Sequence, residues 1–108
     1  MAAVSNKDWK LFMERIGDWQ ERYMDHLNRE YIALLESDAP PSDKFWALEK
    51  RIYKDKKKPG VRLTLSKDSM IFDLARLIHD KVITYDDLAD FGDYVTEAVN
   101  LYLERNIV

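Results

Sequence analysis

From Asn6 to Glu36, apolar and aromatic residues recur at every third or fourth position: Trp9, Phe12, Ile16, Trp19, Tyr23, Leu27, Tyr31 and Leu34. That spacing places all eight on one stripe of an α-helix. Ser5, with Asp8 three residues on, supplies a capping-box-like start. At 1.5 Å rise per residue, thirty residues make a rod roughly 45 Å long. Such a rod is long for a chain of 108 residues. Part of its length is therefore expected to lack a partner within the chain.

The run SDAPPSD breaks this helix, because Pro40 and Pro41 disfavour helix before them, and Ser42 can cap the next one. A second helix is expected from about Asp43 to Lys57, with Phe45, Leu48 and Ile52 facing the core and Trp46 and Tyr53 beside them. Pro59-Gly60 ends it. Val61, Leu63 and Leu65 then alternate with Arg62 and Thr64, the pattern of a short strand or of an extended linker packed by its apolar side. A third helix is expected from after Ser66 to Asp80, burying Met70, Ile71, Leu74, Leu77 and Ile78. Thr84 with Asp87 forms a second capping-box-like pair, opening a fourth helix over Tyr85 to Arg105. Leu88, Phe91, Val95, Ala98, Val99 and Tyr102 mark its inward face. The expected fold is all-α: one domain over residues 1–108, four helices with a long first one, and one short extended segment near 61–65. Gly17 and Gly92 fall within predicted helices, where each costs about 1 kcal/mol relative to Ala. Close helix packing is the expected reason, with a flexible point in the helix as the alternative.

Composition excludes several classes of function. The absence of cysteine removes disulfide scaffolds, thiol nucleophiles and cysteine-based metal sites, and fits a reducing, cytoplasmic setting. No apolar run approaches the roughly 18 residues of a membrane span, and the start MAAVSNKDWK has no apolar core of a signal peptide. Glycines at 17, 60 and 92 are isolated, so no phosphate-cradling loop is expected. There is no G-x-S-x-G elbow, and Ser5, Ser42, Ser66 and Thr84 read as helix caps. Only two histidines exist. His26 lies four residues from Arg22 and from Glu30, an ordinary surface pairing, and His79 precedes Asp80 near a helix end, where a cation is favoured. Asp86, Asp90, Asp93 and Glu97 would line up on the outward face of the fourth helix, in water rather than in a dry site. No catalytic residue, metal site or cofactor is expected.

Charge is strongly segregated. Residues 1–38 carry a net −3, residues 39–67 a net +6 and residues 68–108 a net −6. Either the basic second helix lies against the acidic fourth helix, or it faces a separate anionic partner. The basic segment from Lys44 to Lys67 contains Lys50, Arg51, Lys54, Lys56, Lys57, Lys58 and Arg62, with Trp46 and Tyr53 interleaved. Cations bind phosphates and aromatic rings stack on bases, so a nucleic acid or ribonucleoprotein is one candidate partner. The fourth helix is not a DNA-reading helix, since its leading aspartates would repel phosphates. The first helix offers the other opening. Trp9 belongs to an aromatic stripe, Leu11 and Ile32 fall off it, and Met13 and Met24 flank it. Large rings and adaptable methionines suit a protein partner or self-association.

The strings FMERIGDWQERYM, KFWALEKRI followed by KKKPGV, and LIHDKVITYDDLADF resemble a group of small uncharacterised bacterial helical proteins sometimes labelled multidrug transporters. The resemblance covers most of the chain and marks no catalytic residue. A transporter conflicts with the lack of a spanning segment, so that label is set aside. In size and in its lack of catalytic motifs the chain is also similar to small accessory proteins of mobile elements, including anti-CRISPR inhibitors, by analogy of type rather than by motif. The expected function is a non-catalytic module acting by protein association, with nucleic-acid binding through the basic segment as the alternative.

Overall fold

The computed structural model describes residues 4–106. Four α-helices occur in order: α1 (Asn6–Leu35), α2 (Pro41–Asp55), α3 (Met70–His79) and α4 (Asp93–Glu104). Short 3-10 turns at Lys67–Ser69 and Tyr85–Leu88 precede α3 and α4. The fold is all-α, as the periodicity predicts. Val61 to Leu65 does not pair as a strand, and no strand occurs among the described residues. Leu63 packs on the core while Leu65 is exposed, so the apolar side of this linker is only partly used.

The molecule measures 55 × 28 × 23 Å. A 30-residue helix spans roughly 45 Å, so α1 accounts for most of the long dimension. The core gathers around its first half. Phe12, Ile16 and Trp19 pack with Met70, Leu74 and Leu77 of α3, Ile83, Leu88 and Phe91 of the connection, and Val95 and Val99 of α4. Leu27 is buried farther along α1, outside that cluster. Ile78, expected in the core, is half-buried at its edge, and Tyr23 is half-buried beside Gly60.

Helix α2 departs most from expectation. It starts at Pro41, which tolerates the first helical position because its missing N–H needs no partner there. Ser42 lies inside the helix rather than capping it. The side that turns toward α1 is the stripe Lys44, Leu48, Arg51 and Asp55, at helical spacing. Phe45 and Ile52 lie beside that stripe and are exposed, not core. Their burial would need a third helix on this end of α1, but α3 and α4 pack on each other and on the other end. The chief partner of α2 is therefore α1 and that of α4 is α3, so the two oppositely charged helices are not packed as a pair.

Helix α4 also starts later than the sequence suggests. After the Tyr85–Leu88 turn, Gly92 adopts an extended conformation (φ −63°, ψ 156°) and becomes the N-cap. Its N–H donates to Asp8 Oδ1 at 3.0 Å instead of continuing a helix. A β-carbon on Gly92 would sit 3.1 Å from Asp8 Oδ2. The side chain of Asp8 is thus spent on Gly92, and the Ser5 box is half made: Asp8 N–H donates to Ser5 Oγ at 3.0 Å. The box at Thr84 and Asp87 is complete. Asp86 and Asp90 precede α4, so they do not continue the stripe of Asp93 and Glu97 on one helix. A β-carbon on Gly17 would meet no atom within 4 Å, which rules out close packing as its reason. Gly60 is the opposite case. A β-carbon there would lie 2.4 Å from the Tyr23 ring and 2.8 Å from Val82, so only glycine fits where the α2–α3 connection crosses α1.

Candidate protein-binding surface

The helical hairpin of α1 and α2 is bridged by a network of polar contacts. Asp55 is only 2% exposed. The Tyr31 hydroxyl donates to its Oδ2 at 2.7 Å, with Arg51 Nη2 at 3.3 Å and Lys58 Nζ 3.2 Å from Oδ1. Arg51 also donates to Glu30 Oε1 at 2.7 Å, and His26 Nε2 lies 2.7 Å from Glu30 Oε2. Gln20 Nε2 donates to the Pro59 carbonyl at 3.0 Å. Burial alone would raise the Asp55 pKa, but the hydrogen bonds from Tyr31 and Lys58 outweigh it and hold the carboxyl below its ordinary value. The hydrogen bond from Arg51 lowers Glu30 in the same way. Burial, and then its bond to Asp55, push the Tyr31 phenol up to about 12. Lys58 loses some basicity to burial, yet its bond to Asp55 raises it overall.

This network absorbs part of the basic segment. Arg51 and Lys58 are committed to Glu30 and Asp55, so the +6 charge of the middle is partly neutralised by α1 and by α2 itself. Lys56 and Lys57 lie 5.1 and 3.9 Å from the Tyr53 ring centre. Lys50, Lys54 and Arg62 are exposed and make no ion pair among the described residues. Of the seven predicted phosphate-binding cations, five are thus near the outer side of α2 or its end without serving Asp55.

The same side carries the largest exposed rings. Trp46 is 64% exposed and Phe45 62%, their rings meeting edge to face at 4.9 Å. Tyr53 and Ile52, two turns farther on, are also exposed. Ile32 and Leu35 add exposed apolar surface at the end of α1. The sequence contains this cluster but assigns half of it, Phe45 and Ile52, to the core. The missing signal is that a hairpin offers α2 one neighbour, not two.

The predicted protein-binding residues on α1 do not form one face. Trp9 stacks near Phe12 at 5.9 Å, and both Trp9 and Leu11 pack against the core. Met13 is exposed, Met24 half-buried, and Ile32 lies in the hairpin.

The buried acids Asp8, Asp55 and Asp73 are all engaged: Asp8 with Gly92, Asp55 as above, and Asp73 with Ser69 Oγ, which donates at 3.0 Å. No buried side-chain nitrogen or oxygen among the described residues lacks a hydrogen-bond partner. No three His, Cys, Asp or Glu among them converge as metal ligands. An open depression of about 490 Å³ beside α1 is lined by Arg15, Asp18, Trp19, Glu21 and Arg22, and Arg15 there donates to Asp90 at 2.7 Å. No described helix is long and apolar enough to cross a membrane. No protein-family model, curated protein or solved structure matches the chain.

Proposed function

We propose that this chain is a non-catalytic binding module that works by occupying a protein partner, and that it binds through the outer side of α2. The observation that carries the reading is the exposed cluster of Phe45, Trp46, Ile52 and Tyr53 on a helix with one neighbour. Rings of this size each offer roughly 150–250 Å² for contact. Burying such a cluster at about 25 cal/mol per Å² gives on the order of 10 kcal/mol before the cost of association. Trp and Tyr at the centre of a patch, with cations at its rim, is the composition of an energetic hot spot. The partner surface that fits is apolar and acidic. A small accessory or inhibitory protein acting by occupancy needs no more than this, and the cysteine-free sequence supports a cytoplasmic setting.

The test is affinity capture with the wild-type chain beside a Trp46→Ala/Tyr53→Ala variant of unchanged helicity. A polypeptide retained by the first and lost by the second supports the reading; identical retention by both defeats it. Nucleic-acid binding is the second reading, favoured by Lys50, Lys54, Lys56 and Lys57 around Tyr53. It requires a gel shift that weakens steeply with salt and disappears in Lys54→Glu/Lys56→Glu/Lys57→Glu.

A further inference from the structure

We infer that a second copy of this chain occupies the outer side of α2, presenting the acidic outer side of its α4; the inference rests on the protein-binding reading and names a partner for it. The two surfaces are complementary in charge and in spacing. On α2 and the turn after it, Lys50, Tyr53 and Lys57 follow one another at intervals of three and four. On α4, Glu97, Leu101 and Glu104 follow at intervals of four and three, and all are exposed. Laid antiparallel, Lys50 meets Glu104, Tyr53 meets Leu101 and Lys57 meets Glu97, so the one apolar pair is flanked by two pairs of opposite charge. The same register sets Glu49 of α2 opposite Arg105 at the C-cap of α4, a third pair of opposite sign.

Within one chain these faces cannot satisfy each other, because α2 packs on α1 and α4 on α3. Part of the +6 in residues 39–67 is neutralised within the chain through Arg51 and Lys58, but Lys50 and Lys54 on α2 and Glu97 and Glu104 on α4 make no ion pair among the described residues and remain available between copies. Like charges would oppose α2 on α2 or α4 on α4, so complementarity selects the mixed contact. One helix-on-helix contact falls short of the roughly 1,200 Å² typical of a stable interface, so the association is weak and sensitive to salt.

Sedimentation velocity from about 1 μM to about 1 mM spans the relevant affinities. The wild type is expected to associate as concentration rises and to dissociate at high salt. Lys50→Glu/Lys54→Glu/Lys57→Glu and Glu97→Lys/Glu104→Lys should each weaken self-association at least about tenfold, since like charges then face each other. An equimolar mixture of the two variants should recover it, because their reversed faces are again opposite in sign. Circular dichroism on each variant confirms that the helices persist. A wild type that stays monomeric throughout overturns the inference, as do variants that associate undiminished or a mixture that fails to recover. A monomeric wild type that still retains a polypeptide through Trp46 removes self-association and leaves the protein-binding reading standing. A monomer that instead shifts nucleic acid, with the shift lost in the lysine variant, removes both.

Discussion

The two ends of α1 are stabilised in different ways. Around its first half, Phe12, Leu74, Leu77, Val95 and Val99 are wholly shielded from solvent in an apolar cluster, with the buried acids Asp8 and Asp73 bonded to Gly92 and Ser69. Around its second half, α2 contributes one buried residue, and that residue is an aspartate. The body thus derives its stability from the exclusion of water, which is insensitive to salt and to mild pH change. The hairpin relies on Asp55, Glu30, Tyr31, Arg51 and Lys58. Ion pairs that are part-exposed contribute little net stability. The comparison teaches where a binding surface is placed: a helix held by polar groups on its inner side keeps its aromatic groups free for another molecule.

The contrast can be broken most forcefully in the body. Phe12→Ala leaves a cavity against α3 and α4 and should cost about 3–5 kcal/mol, read as a large fall in the midpoint of chemical denaturation. At the junction of the two regions, Gly60→Ala forces a methyl into the Tyr23 ring and Val82. It should cost about 1–3 kcal/mol by overpacking, measured in the same way.

In the hairpin, Asp55→Ala leaves Arg51 and Lys58 without their buried acceptor. Those cations are themselves part-exposed, so the cost should be about 1–3 kcal/mol rather than that of a fully buried pair. The loss should show in hydrogen-exchange protection of α2 before that of α3. The pH dependence has a defined sign. Asp55 and Glu30 are held below their ordinary values when folded, so their contribution is complete above the usual carboxylate range near ~4 and is lost as pH falls through the folded values. Protection of α2 should therefore fall before that of the body on acidification. Tyr31 acts at the other extreme: its raised value of about 12 means its contribution is present below the usual phenol range and is lost as pH rises through about 12. Burial raises the Tyr23 phenol too, so tyrosinate absorbance should show two late-ionising phenols, of which one is missing in Tyr31→Phe.

The smallest effect sharpens the comparison. Trp46→Ala removes a large ring yet should change stability by less than about 0.5 kcal/mol, because that ring packs on little within the chain. A loss of several kcal/mol in thermal unfolding would mean that Trp46 belongs to the folded interior.

Much of this architecture can be read from local pattern. The limits of α1, the termination of α2 before Pro59-Gly60, the apolar face of α3 and the box at Thr84 and Asp87 all come from spacing and caps. Twelve of the positions expected on inward faces, Phe12 and Val99 among them, are buried. Periodicity fails where the outcome depends on which helices become neighbours. It shows that Phe45 and Ile52 share a face, but not that nothing covers that face. The start of α4 is hidden for a similar reason, since Gly92 breaks the helix by bonding to a residue 84 positions away. The Asp55 network joins α1 to α2 across 21 to 24 positions, and no local signal reports it.

The bond between Asp8 and Gly92 also imposes an order on synthesis. The hairpin contacts at Glu30, Tyr31, Arg51 and Asp55 become available once residue 58 has left the ribosome. The body must wait for residues beyond 90, because Arg15–Asp90 and Asp8–Gly92 close loops of 75 and 84 positions. During that interval Phe12, Ile16 and Trp19 lie uncovered on nascent α1. That interval is the period in which a chaperone would have most to hold.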